Sequence, residues 1–112
     1  MERKFEPVTP YDGDKLIRTL NKYLLSGEIP GLEYIGAVLR DGALKFGDLV
    51  VSWHTDMDGY RKPWREWIEV RRAGKLTATI PQGSNSYHNT AARHRAVALV
   101  FRAAGLPIPM KR

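Results

Sequence analysis

The chain contains no cysteine. That removes disulfides, thiolate nucleophiles and Cys-ligated zinc together, and with them any redox signature of compartment. Long apolar runs are missing as well: no stretch approaches the roughly 18 to 20 residues that a membrane-spanning helix requires. The opening Met1-Glu2-Arg3-Lys4-Phe5 has neither an apolar signal core nor a small-residue cleavage site, so the expectation is a soluble, cytoplasmic protein with no membrane partner. Internal repeats, low-complexity tracts and long Pro/Gly/Ser linkers are absent too. A length of 112 residues then suits one domain, 1–112, with an arm at 1–8 and an extended tail at 106–112. Acidic residues are the scarcer charge, with 12 Asp+Glu against 18 Lys+Arg and a net charge of +6. Such a surplus favours polyanionic partners while also serving solubility.

What is present divides by period. Leu16, Leu20, Tyr23 and Leu24 recur at helical spacing beside a basic stripe of Lys15, Arg18 and Lys22. Thr9 or Asp14 is the expected cap, and Gly27 the left-handed stop. From Glu33 to Ile80 the alternation is two-residue. Asp41-Gly42 has the signature of a tight hairpin turn, which would pair Leu39 with Leu44 and Ala37 with Phe46. Leu49 to His54 reads as a further strand or as a continuation of the previous one through a bulge at Gly47. A polar loop follows, 54–63. In the last hairpin a three-residue turn, Arg72-Ala73-Gly74, would pair Val70 with Leu76 and Ile68 with Ala78. The opposite face then carries Arg65, Trp67, Glu69 and Arg71 against Lys75, Thr77 and Thr79. A second helix is expected from Asn89 or Thr90 to Ala104, apolar over more than half its circumference, ended by Gly105 and Pro107. The fold class is α+β: an antiparallel sheet of about four strands flanked by an N-terminal and a C-terminal helix, α-β-β-β-β-α.

Two segments carry possible chemistry. Between Tyr60 and Lys75, six basic residues interleave with three aromatics. Arg61, Lys62, Arg65, Trp67, Arg71 and Lys75 together could stack a base and hold phosphates, or meet a protein partner, since Trp, Tyr and Arg also dominate interface hot spots. The alternative is that Trp67 packs under a helix and the arginines pair with Glu66 and Glu69 as a solvated ladder. The second segment is the polar loop Gly83 to Thr90, which opens the basic helix start of Arg93 and Arg95. Backbone N–H groups there could receive a phosphate, or the cluster simply caps the helix.

From Trp64 to Gly105 the order strand, turn, strand, polar loop, basic helix resembles the second half of a double-stranded-RNA-binding-type domain. The leading helix fits that family's αβββα order. The resemblance implies phosphate contacts at the second helix start, where the family has lysines and this chain has Arg93 and Arg95, and it leaves one strand extra.

Catalytic and metal patterns are weak. His54, His88 and His94 lack zinc spacing, and a nuclease acid/base pair would need two of them beside one phosphate. Asp56-Met57-Asp58-Gly59 begins like a calcium loop, but the acid that should close it falls at Arg65. No serine lies in a nucleophile elbow. The expectation is a non-enzymatic module without metal or cofactor that binds nucleic acid or a nucleoprotein complex. The runner-up is an accessory or inhibitory protein of phage or mobile-element type, and a small histidine nuclease comes third.

Overall fold

The computed structural model describes residues 10–36, 42–57, 63–82 and 86–111. Their order is α1 (Gly13–Ser26), β1 (Leu32–Ile35), β2 (Ala43–Phe46), β3 (Leu49–Met57), β4 (Pro63–Arg72), β5 (Lys75–Gln82) and α2 (Ser86–Ala104). The strands form one antiparallel meander in the order β1-β2-β3-β4-β5. The architecture is thus the expected α+β arrangement with a fifth strand, which arises because the chain turns at Gly47-Asp48 instead of bulging there. Phe46 pairs with Leu49, and Gly47 takes the positive φ of 58° that a tight reversal needs.

Both helices lie on one face. Alternation along the strands points Leu44, Leu49, Val51, Ile68 and Val70 to that side, where they join Leu16 and Leu20 of α1 and Ala92, Ala96, Val97, Val100 and Phe101 of α2 in a single buried cluster. The two helices meet at Tyr23 and Phe101, whose ring centroids are 6.0 Å apart at 58°. Relative to the αβββα order of the double-stranded-RNA-binding type, the sheet has two strands more.

The cap of α1 is Asp12, between the two expected positions. Its carboxylate accepts from the Lys15 backbone N–H at 3.2 Å, so Gly13 becomes the first helical residue. That glycine is required by packing, because a Cβ on it would come within 2.6 Å of His94 Nδ1 and closer still to other ring atoms. Gly27 closes α1 in the left-handed conformation, its N–H bonded to the Tyr23 carbonyl. At the far end Leu106 and Ile108 pack against the core. The tail is pinned to the start of α1: Asp12 N–H donates to the Pro109 carbonyl at 3.0 Å, and Lys111 N–H to the Pro10 carbonyl at 2.8 Å. Residues 106–111 are therefore an extended strap.

Two strand registers differ from expectation. Leu44 faces Tyr34 and Val51, and Phe46 faces Leu32 and Leu49, so β2 has residues 32–35 and 49–52 as its partners in place of the expected Leu39 and Ala37. Residues 37–41 lie outside the described residues. Gly42 is no turn glycine: it is buried, its carbonyl accepts from Trp53 N–H at 2.9 Å, and a Cβ there would meet the Tyr34 ring, 2.6 Å from Cζ. The last hairpin turns in two residues, Ala73 at φ 52° and Gly74 at φ 84°, with Arg72 opposite Lys75. A bulge at Thr77 then absorbs one residue, so Arg71 faces Leu76 and Val70 faces Ala78. The turn keeps its preferred twist and Val70 stays in the core. Leu76 moves to the opposite face, 52% exposed, and the Thr77 hydroxyl donates to the Val70 carbonyl at 3.1 Å.

Candidate functional site

Strands β3 and β4 position the outward face. With Val51, Ile68 and Val70 turned inward, the two-residue period turns Ser52, His54, Trp67, Glu69 and Arg71 outward. Register places His54 beside Trp67, Ser52 beside Glu69 and Val50 beside Arg71. The row continues onto β5 as Pro81, Thr79 and Leu76. No described helix covers these residues.

The cross-strand neighbours His54 and Trp67 stack nearly parallel, with ring centroids 5.6 Å apart and an interplanar angle of 15°. Glu69 gathers the rest. Its carboxylate accepts from Trp67 Nε1 at 2.9 Å and from Arg71 Nη1, and His54 Nε2 lies 3.3 Å from its Oε1. Donation from Trp67, then from Arg71, holds the Glu69 carboxyl below the usual carboxylate range. With only 18% of its side chain exposed, Glu69 is an anion held in place by its neighbours on the outward face.

Ser52, His54 and Glu69 superficially form a Ser-His-acid set, and the geometry rejects that role. Ser52 Oγ sits 2.8 Å from His54 Nε2, the same nitrogen that approaches Glu69. A proton relay needs the hydroxyl on one ring nitrogen and the acid on the other. What the cluster does is fix the imidazole flat against the indole.

The sequence-derived residues separate into two groups. Trp67 and Arg71 are together on the outward face, and Arg65 occupies the β4 register position opposite Asp56. Trp67 is half-buried there without being under a helix, and Arg71 is paired with Glu69 as a solvated ladder would have it. Lys75 is exposed at the hairpin tip opposite Arg72, in the row that begins at Leu49 on the helix side. Arg61 and Lys62 lie outside the described residues. Arg93 and Arg95 are on α2, in the other layer: Arg95 is exposed, while Arg93 lines a cleft between α2, α1 and the sheet. Helix α2 begins at Ser86, three residues before the earliest expected start; Gly83 to Asn85 and the side chains of 86–90, the proposed phosphate loop, lie outside the described residues. Ser52, His54 and Leu76 were missed as members of the face. Strand alternation signals the first two, whereas Leu76 requires knowledge of the bulge.

His94 packs against Gly13, remote in the fold from His54 on the outward face, so these two histidines do not converge. Burial holds the His94 imidazole below its usual range, with Arg93 adding to the effect. Among the described residues no group of three or more His, Asp or Glu side chains could hold a metal ion. Nor is any described helix long and apolar enough to cross a membrane.

No family model matches the chain. No curated protein and no solved structure matches it either.

Proposed function

We propose that the protein is a small non-enzymatic binding module that contacts nucleic acid, or a nucleoprotein complex, through the sheet face of His54, Trp67 and Arg71, with Arg65 on the same strand. The observation that supports this reading is the one-sided layering: both helices pack over Leu44, Val51 and Val70, leaving a stacked aromatic pair and a guanidinium on the face turned away. Base stacking on aromatics beside cations is a sequence-tolerant mode of single-strand binding. The net charge of +6 supplies long-range attraction. In this proposal the module acts in the cytoplasm.

The test is a titration of labelled single- and double-stranded RNA and DNA at two salt concentrations. Affinity should fall with salt, and single strands should be preferred. No binding at low salt would refute the reading.

One observation favours a protein partner instead. Leu76, 52% exposed, stands opposite Arg71 on this same face, and Arg71 already has Glu69 as its anion. An exposed apolar side chain on the same sheet face as a half-buried indole suits an interface hot spot. Capture of a partner that persists after nuclease treatment would select this alternative.

A further inference from the structure

The cleft on the helix side of the sheet has a volume of about 320 Å³, at the small end of the range for small-molecule pockets. Helix α1 supplies an aliphatic wall of Ile17, Leu20 and Leu24, strands β1 and β3 supply Tyr34 and Trp53, and α2 supplies Arg93. Among the described residues no acidic side chain lines it. Arg93 is partly withdrawn from water, yet among the described residues it has neither an acidic partner nor a hydrogen-bonded one. The indole N–H of Trp53 is buried and also lacks an acceptor among the described residues. A buried donor without a described partner beside a half-buried arginine that has no described acid, in one small and mostly apolar site, is an unusual combination, because buried polar groups are nearly always paired.

We propose that this cleft binds a small organic monocarboxylate: an apolar body seated between α1, Tyr34 and Trp53, with its carboxylate on the Arg93 guanidinium. The planar fork of arginine matches a carboxylate in a bidentate geometry. A single cation among apolar walls is the complement of one negative charge on a hydrophobic body. A phosphate dianion would want more donors and less hydrocarbon, and a peptide would outsize the volume. The site is independent of the nucleic-acid reading, since it lies on the opposite face of the sheet from Trp67.

The experiment is an NMR titration of the ¹⁵N-labelled chain with octanoate, with 1-octanol and with inorganic phosphate, reading the Trp53 indole N–H and the amides around Arg93. Octanoate should give saturable shifts with a Kd of about 1 mM or tighter. Octanol should bind more weakly and phosphate should leave the Trp53 signal in place. Arg93→Met should weaken octanoate by about 10- to 100-fold, the contribution of a charge-assisted hydrogen bond, and leave octanol unchanged. Octanoate no tighter than octanol on the unmodified chain overturns the proposal, and that comparison stands even if Arg93→Met fails to fold. Shifts at the Trp67 indole in place of Trp53 overturn it as well. The Trp67 signal and nucleic-acid affinity report separately on the outward face, so failure of one site leaves the other measurable.

Discussion

Replacing Gly13 with alanine tests the helix junction most directly. Gly13 does not need a positive φ, so alanine fits the backbone and in isolation should stabilise α1 by about 0.5 to 1 kcal/mol through a smaller entropy loss. The added methyl, however, would fall on the His94 ring, with Nδ1 only 2.6 Å away. Displacing a half-buried ring that bridges two helices is an overpacking event worth about 1 to 3 kcal/mol. The second effect wins. Gly13→Ala should therefore destabilise by about 1 to 2 kcal/mol, lowering Tm by roughly 4 to 8 °C for a chain of this size. His94→Ala removes the obstacle at a cost of about 1 kcal/mol of its own packing. In that background Gly13→Ala should turn stabilising, giving a coupling of about 2 kcal/mol between the sites. Urea unfolding of the four chains by circular dichroism, at a pH where His94 is neutral, measures the cycle. Equal effects of Gly13→Ala in both backgrounds would refute the contact.

Trp67→Ala should weaken nucleic-acid binding by about 1 to 3 kcal/mol, the scale of one stacked base, and lower stability by about 1 to 2 kcal/mol through loss of the His54 stack and the Glu69 hydrogen bond; full-strength binding by the folded variant would refute the stacking role. Val70→Asp should unfold the domain, since it buries a carboxylate at a position 2% exposed, whereas Leu76→Asp should be tolerated; comparable melting curves would contradict the bulged register. Stability should decline on acidification in two windows. His94 has a folded-state pKa below its usual 6.5, so the unfolded chain takes up protons first and stability falls as pH drops from about that value. Glu69, held below its usual 4.5, has the same sign and acts in the lower window. His94→Ala should flatten the upper window, and urea midpoints between pH 8 and pH 4 would reveal whether it does.

Much of this architecture can be read from residue spacing because helices declare themselves locally. Leu16, Leu20 and Gly27 mark α1, and the apolar sweep from Ala92 to Phe101 marks a helix that must be covered. Strand pairing is less legible, since register depends on contacts made far along the chain. Asp41-Gly42 has turn chemistry, yet Gly42 is small because Tyr34 lies over it. A three-residue turn at Arg72-Ala73-Gly74 is needed to keep Val70 in the core only if the strand is unbulged; the bulge at Thr77 lets the two-residue turn do the same. On the candidate face, alternation brings out Trp67 and Arg71. The convergence of His54 from β3 with Trp67 and Arg71 from β4 on Glu69 exists only once the two strands are in register. The pairing of Trp53 with Arg93 in one cleft is a tertiary fact without a local signature.

The strap that joins residues 109–111 to residues 10–12 has a consequence for the order of folding. Its hydrogen bonds and the bridge between Tyr11 and Met110 connect segments from opposite ends of the described chain. Such contacts carry the largest loop-closure entropy and form late. The β3-β4 and β4-β5 hairpins can zip from nearby residues, but α1 acquires its last tether only after everything between has assembled. A helix held by the final step is also the first to be released. The unit most easily detached is then α1 with its strap, so amide exchange should be fastest there among the buried segments, ahead of any loss from the central strands.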